Sequence, residues 1–344
     1  MNSSSDNSRP AGSPGPGGKV PPAGGMADGR HPPAARRLRW FAACGVLLTL
    51  CFGGTLAAWA RYAWHEPLHS HGLLIPLVVA YLIGLRRDRL PRTCSSSPVA
   101  AGVLAVAGAG LLALGGLPGG WARSLSVNDA LALQVAAWLC LLAAAAFALL
   151  GRRWLGAIAF PVMMSVFMIP LPDAAVAAFE GWLMRASADA AHWLFGVTGT
   201  PVFREGQVLM LPGVVLEVAR ECSGIRSTWV LLITSLLASW LFLRAPWRRA
   251  VLIASVIPLG ILRNALRIVV IGMLCVARGP QMLDSWIHHR GGPVFFAASL
   301  VPLLVVAWCL WWSEAHAAAK AKNRSDAPPD CGQDHPMQQE TDER

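Results

Sequence analysis

Apolar runs of about one membrane thickness alternate along most of this chain with short charged or Gly- and Pro-rich breaks. The runs fall at about 40–60, 72–85, 98–117, 130–150, 154–170, 223–243, 249–276 and 294–312, several close to the roughly 20 residues a helix needs to cross the hydrocarbon. The pattern predicts an all-α integral membrane protein, a polytopic bundle of about eight transmembrane helices in which 72–85 and 154–170 are the shortest spans. Two segments depart from it. Residues 201–218 read as short strands broken at Glu205-Gly206 and Pro212-Gly213, a small external β-hairpin or meander. Before them, Asp173 can cap an amphipathic helix with a stripe of Phe179, Trp182, Leu183, Ala186, Ala190, Trp193 and Leu194, which lies in the interface or folds back between spans.

Composition agrees with this class: 55% of residues are hydrophobic, 14% are charged, and there are 15 Trp in 344 residues, too apolar for a soluble domain of this length. The net charge of +10 is carried by short clusters between the apolar runs. They read as topology signals, and no nucleic-acid partner is expected. Arg36, Arg37 and Arg39 precede the first span, and Arg86, Arg87, Arg89 and Arg92 follow the second. Arg152 and Arg153 follow the fourth, Arg244, Arg248 and Arg249 the sixth, and Lys320, Lys322 and Arg324 the eighth. Positive charge marks the cytoplasmic side, and each cluster stands after an even number of spans, so both termini are expected inside.

Residues 1–39 are rich in Pro, Gly, Ser and Arg without apolar periodicity and read as a disordered cytoplasmic tail. They are too long and Pro-rich for a cleaved signal peptide, and Met26 is as good a start as Met1. The transmembrane domain is expected over 40–313, with a second disordered cytoplasmic tail at 314–344.

The reactive side chains gather on the opposite face. Cys222 opens the sixth span inside Arg220-Glu221-Cys222-Ser223-Gly224-Ile225-Arg226-Ser227, where a helix N-terminus and flanking arginines favour a thiolate. His288 and His289 precede the eighth span on that side. In the seventh, Arg267 lies about 25 Å above the cytoplasmic entry with Arg263 one turn below it. An arginine inside a membrane helix is costly unless it meets a cavity or a partner, which makes Arg226, Arg263 and Arg267 functional candidates, Arg267 foremost. The bland alternative is that they pair with Glu217, Glu221 or carbonyls to hold the bundle together.

Together these groups offer a nucleophile in Cys222, a general acid and base in His288, and an electrophilic clamp in an arginine. The amides of Ser223 and Gly224 can contribute to an oxyanion hole at the helix start. His65, His69 and His71 in the first external loop are a rival source of a base, at a spacing not diagnostic of a metal. Cys44, Cys51, Cys140 and Cys309 lie in spans, and Cys94 and Cys331 on the cytoplasmic side. Cys275 alone lies near the outer end of a helix, where it competes with Cys222 or pairs with it. The meander offers an edge to an extended peptide, and an arginine near the thiol suits an acidic residue beside the scissile bond.

These residues resemble the exosortases and archaeosortases, integral-membrane cysteine transpeptidases of the bacterial envelope. The resemblance rests on Glu221 to Ser227 for the Cys motif, Asn264-Ala265-Leu266-Arg267-Ile268 for the Asn-x-x-Arg-Ile motif, and His288 with Gly292 and Phe296 for the His motif. Ser70-His71-Gly72 and Ile169-Pro170-Leu171-Pro172 extend it, so the matched features run from about 70 to 296. Pro293 departs from the tryptophan often found after the Gly, and His289 leaves the histidine register open. The resemblance implies catalysis by Cys222, Arg267 and His288 at the periplasmic face of a bacterial inner membrane; from the residues themselves, Arg226, Arg263, Ser223 and Gly224 are expected to bind substrate, and no cofactor or metal is expected. It further implies cleavage of the C-terminal sorting signal of exported proteins, which has a Pro-Glu-Pro type motif, an apolar helix and a basic tail. The new carboxyl end would pass to an unidentified envelope acceptor, with membrane lipid around the enzyme. The alternative from another class is a transporter or lipid-handling channel for an anionic substrate, in which the intramembrane arginines bind the anion and Cys222 is incidental.

Overall fold

A computed structural model describes residues 34–116, 125–218, 224–279, 281–282 and 292–325. Twelve α-helices and one small sheet account for most of them. In chain order these are α1 (Ala34–Cys51), α2 (Gly53–His65), α3 (Ile75–Leu85), α4 (Pro98–Gly116), α5 (Val127–Leu149), α6 (Arg152–Ala157), α7 (Ala159–Met164) and α8 (Asp173–Val197). Strands β1 (Phe203–Glu205), β2 (Val208–Leu211) and β3 (Val214–Glu217) follow, then α9 (Ile225–Phe242), α10 (Pro246–Ala254), α11 (Val256–Arg278) and α12 (Gly292–Ser325).

The breaks between helices have local causes. Gly53 and Gly54 follow the end of α1, and α2 leaves at 70°. Pro161 cannot donate to the Ala157 carbonyl four residues back, and the helix parts at Ile158. Pro258 stands in the same relation to Ala254, where α10 and α11 part at Ser255. Pro170 and Pro172 stop the next segment, and α8 departs at 92° from Ala159–Met168.

Five helical segments among the described residues are long and apolar enough to cross a membrane: Pro98–Gly115, Val127–Leu149, Ile225–Phe242, Pro246–Arg278 and Val294–Lys320. The count reaches seven if each bent pair is one span, against the eight expected. At five the missing spans are the first, second and fifth of the predicted series, and at seven the second alone. Helix α3 has 11 residues, about 16 Å, and the run expected at 154–170 is cut by Pro161. The first helix begins at Ala34 and the last runs to Ser325.

The expected meander is present. β1, β2 and β3 form an antiparallel sheet in that order, with Phe203 opposite Met210 and Met210 opposite Val215. Its turns fall at Gly206 and Gly213, whose φ values of 58° and 80° are open to glycine at little cost. Leu209, Leu211, Val214 and Leu216 face inward onto α8 and α11, where they share a core with Ala188, Ala191, Phe195, Ile268 and Cys275.

Helix α8 is the predicted amphipathic helix, but its buried face is turned. Leu183, Met184, Ser187, Ala188, Ala191 and Phe195 pack inward, while Trp182 and Trp193 of the expected stripe are 40% and 66% exposed. Small side chains permit the close approach to α11, so shape outweighed hydrophobicity in choosing the face. Its cap also comes from elsewhere. Asp173 is the first helical residue, and its N–H donates to Asp129 Oδ1 on α5 at 2.9 Å, while Asn128 Nδ2 donates to Asp173 Oδ1 at 2.7 Å.

Helix α9 runs antiparallel to the α10–α11 segment, to which Leu243–Ala245 joins it at one end. Glu314 of α12 closes that end, accepting from the N–H groups of Arg244 at 3.0 Å and Ala245 at 2.9 Å. The 18 residues of α9 rise about 27 Å, close to the thickness of the hydrocarbon. Helix α11 continues past the start of α9, and that extension packs with α8 and the sheet to cap the bundle end remote from Arg244 and Arg249.

Candidate functional site

Gly224 is the hinge of the site. It precedes α9 with φ 71° and ψ 9°, a left-handed conformation that only glycine adopts cheaply, and no side chain caps the helix there. Its carbonyl accepts from the N–H and the hydroxyl of Thr228, each at 3.0 Å, and from the Ser227 hydroxyl at 3.1 Å. Arg263 Nη2 on α11 donates to the same oxygen at 3.1 Å. One turn toward the joined ends, Gly260 faces Thr228, where a Cβ would stand 2.8 Å from the hydroxyl. The missing side chain lets α9 and α11 come together at this level.

Arg263 and Asn264 are buried at 7% and 2% exposure. Arg263 Nη1 and Asn264 Nδ2 have no hydrogen-bond partner among the described residues. Arg267 stands about 6 Å further along the helix, half-buried. Arg226, in the first turn of α9, is exposed. The start of α9 therefore holds the Arg263 guanidinium at the positive end of a helix dipole, with Arg226 in its first turn and Arg267 one turn further along α11. Such a field favours a thiolate, a carboxylate or a developing oxyanion.

Cys222, Ser223, His288 and His289 lie outside the described residues, as does Glu221. Of the predicted site residues, the structure brings Gly224 and Arg263 into contact and sets Arg267 one turn from the latter. Cys275, the rival thiol, is buried at 3% exposure in the core between α8, α11 and the sheet. No cluster of three or more His, Cys, Asp or Glu able to hold a metal occurs among the described residues.

The loop between α2 and α3 is arranged to hold structure. Nδ1 of His71 lies 2.9 Å from the Leu68 carbonyl and Nε2 lies 3.0 Å from the Trp229 indole nitrogen. An indole N–H only donates, so Nε2 is the acceptor and Nδ1 carries the proton. Both ring nitrogens are occupied, which removes His71 as a free base. His69 is 6% exposed, lies against the Tyr62 ring with centroids 5.5 Å apart, and burial holds its pKa at about 4. Only His65, exposed at the end of α2, is open to solvent.

Sequence reasoning missed Thr228, Gly260 and Trp229. Gly260 and Asn264, four residues apart on α11, gave the one available signal, a small residue one turn from a polar one on a helix face.

The architecture defines a polytopic helical membrane protein with a basic junction at the start of one span. A family model described as Transmembrane exosortase (Exosortase_EpsH) matches residues 59–305 of the 344. The chain belongs to the transmembrane exosortase family, and all the motif positions from Ser70 to Phe296 fall within the match. Comparison with curated proteins and with solved structures returns no match.

Proposed function

We propose that the protein is a membrane cysteine transpeptidase that cleaves C-terminal sorting signals of exported proteins and transfers the new carboxyl end to an envelope acceptor. The observation that carries this reading is the bond from Arg263 to Gly224, which joins the exit of the Cys motif to the helix of the Asn-x-x-Arg-Ile motif. The family membership supports it independently.

In this reading Cys222 attacks the scissile carbonyl as thiolate, and Arg267 with the amides of Ser223 and Gly224 stabilises the oxyanion. His288 protonates the leaving amine and then deprotonates the incoming nucleophile. Arg263 is buried on Gly224, whereas Arg226 is exposed, so Arg226 is the better placed of the two to meet an acidic side chain beside the scissile bond. The Arg244–Arg249 end faces the cytoplasm and the capped end the periplasm of the inner membrane. In this reading each bent pair is one span and α3 a further crossing, which makes eight and keeps both termini inside.

The test is processing of a reporter that ends in a Pro-Glu-Pro type signal, an apolar helix and basic residues. Cys222→Ala is expected to leave the full-length reporter uncleaved. Wild-type processing by that variant would exclude Cys222 as the nucleophile.

A further inference from the structure

Four donors converge on the Gly224 carbonyl, although a carbonyl oxygen offers two lone pairs. Thr228 and Ser227 already satisfy it, so Arg263 is not there to rescue an orphaned acceptor. A guanidinium buried to 7% exposure beside one neutral acceptor is expensive. Its effect is positional. A side chain at Gly224 would collide with Nη2, so glycine and arginine fit as a pair at a backbone turn already held left-handed.

Two peptide units separate Cys222 from Gly224, a Cα separation of at most about 7.6 Å. Whatever fixes the Gly224 carbonyl therefore limits where the thiol can stand. The same guanidinium brings a fixed positive charge to the N-terminus of α9, and its Nη1 and the neighbouring Asn264 Nδ2 still have donor capacity among the described residues.

We infer that Arg263 is a positioning residue for the Cys222 thiol, acting through the Gly224 carbonyl rather than by touching substrate. The inference rests on Cys222 being the nucleophile. It gives Arg263 work different from that proposed for Arg267: Arg263 holds the turn, and Arg267 is left to act on the reacting carbonyl.

The test uses the full chain in nanodiscs, with iodoacetamide as the probe and mass spectrometry to count modification at Cys222 alone. In Arg263→Gln the pH midpoint of alkylation is expected to rise by about one unit. The kcat for a sorting-signal reporter is expected to fall about tenfold or more with KM changed less than about threefold. Arg263→Lys, which keeps the charge and one donor, is expected to restore most of the midpoint and part of kcat. Gly224→Ala, whose methyl displaces Nη2, is expected to give the signature of Arg263→Gln and decides the matter if that variant does not accumulate. An unshifted midpoint in either variant overturns the inference, whatever happens to processing. Alkylation needs no turnover, so this failure is separate from that of the proposed activity, which Cys222→Ala tests.

Discussion

The indole of Trp229 donates to Nε2 of His71 across 3.0 Å, tying the loop before α3 to α9 one turn past its start. The contact continues into a packed aromatic group. Phe167 meets Trp229 edge to face with ring centroids 5.6 Å apart, and a Cβ on Gly72 would stand 3.1 Å from Trp59. The loop histidine thus supports the helix that begins at the Cys motif.

His71→Ala leaves the half-buried Trp229 N–H without its acceptor, a loss of about 1–3 kcal/mol in stability. His71→Gln retains an acceptor and is expected to process the reporter within about threefold of wild type, whereas His288→Ala loses about a hundredfold or more. Processing rates of the two variants, with thermal unfolding of His71→Ala, check both halves.

Burial holds His69 at about 4, with the neighbouring His71 also disfavouring charge and Asp173 opposing the shift. Burial pushes His71 down as well, against hydrogen bonds that its ring donates to the backbone carbonyls of Leu68 and Phe167. A histidine whose folded pKa lies below its unfolded value binds its proton more tightly when unfolded. Stability is therefore full above about pH 6.5 and falls as the pH drops toward 4. The loss from His69 approaches about 3 kcal/mol at the acid end. Thermal unfolding between pH 7 and pH 4 should show this decline, and His69→Gln should flatten it; an equally steep decline in that variant would assign the effect to other groups.

Much of this was legible in the sequence because membrane helices must satisfy their own backbone within a run of apolar side chains. The long spans at 98–117, 130–150, 223–243, 249–276 and 294–312 appear close to where the pattern put them. The meander was legible from Gly206 and Gly213, which punctuate short β-branched runs. What escaped was decided by tertiary contact. Asp129 caps α8 from another helix, and the small face of Ser187, Ala188 and Ala191 outcompeted Trp182 and Trp193 for burial. Within the site, arginines in an apolar span were conspicuous, but the division between buried Arg263 and exposed Arg226 depends on which face of each helix meets the other.

Close packing of α9 on α11 makes Gly260 sensitive to the smallest substitution. A methyl there stands 2.8 Å from the Thr228 hydroxyl and 3.3 Å from its Cγ2, and Thr228 is itself held on Gly224. Gly260→Ala is expected to cost about 1–3 kcal/mol and to lower processing, because relief of the clash moves Thr228 off the Gly224 carbonyl. Gly84→Ala, with nothing within 4 Å of the added carbon, is the matched control and is expected to behave as wild type. Thermal unfolding and reporter processing of the pair distinguish packing at this level from a general intolerance of helix glycines.

Arg226 carries the last prediction, which concerns what the substrate presents. It is exposed in the first turn of α9, beside a helix N-terminus that already favours negative charge, and its side chain is free of the Gly224 turn that occupies Arg263. If it meets the acidic side chain of the sorting signal, Arg226→Glu sets two like charges against each other and costs about 1–3 kcal/mol in binding, a loss of about 10- to 100-fold in kcat/KM. A signal carrying Lys in place of the acid should recover a large part of that loss with Arg226→Glu while being a poor substrate for the wild type. Measuring all four combinations isolates the pairing from any effect of either change alone. Equal loss on both signals would show that Arg226 serves the local field of the helix start and leaves recognition of the acid to another group.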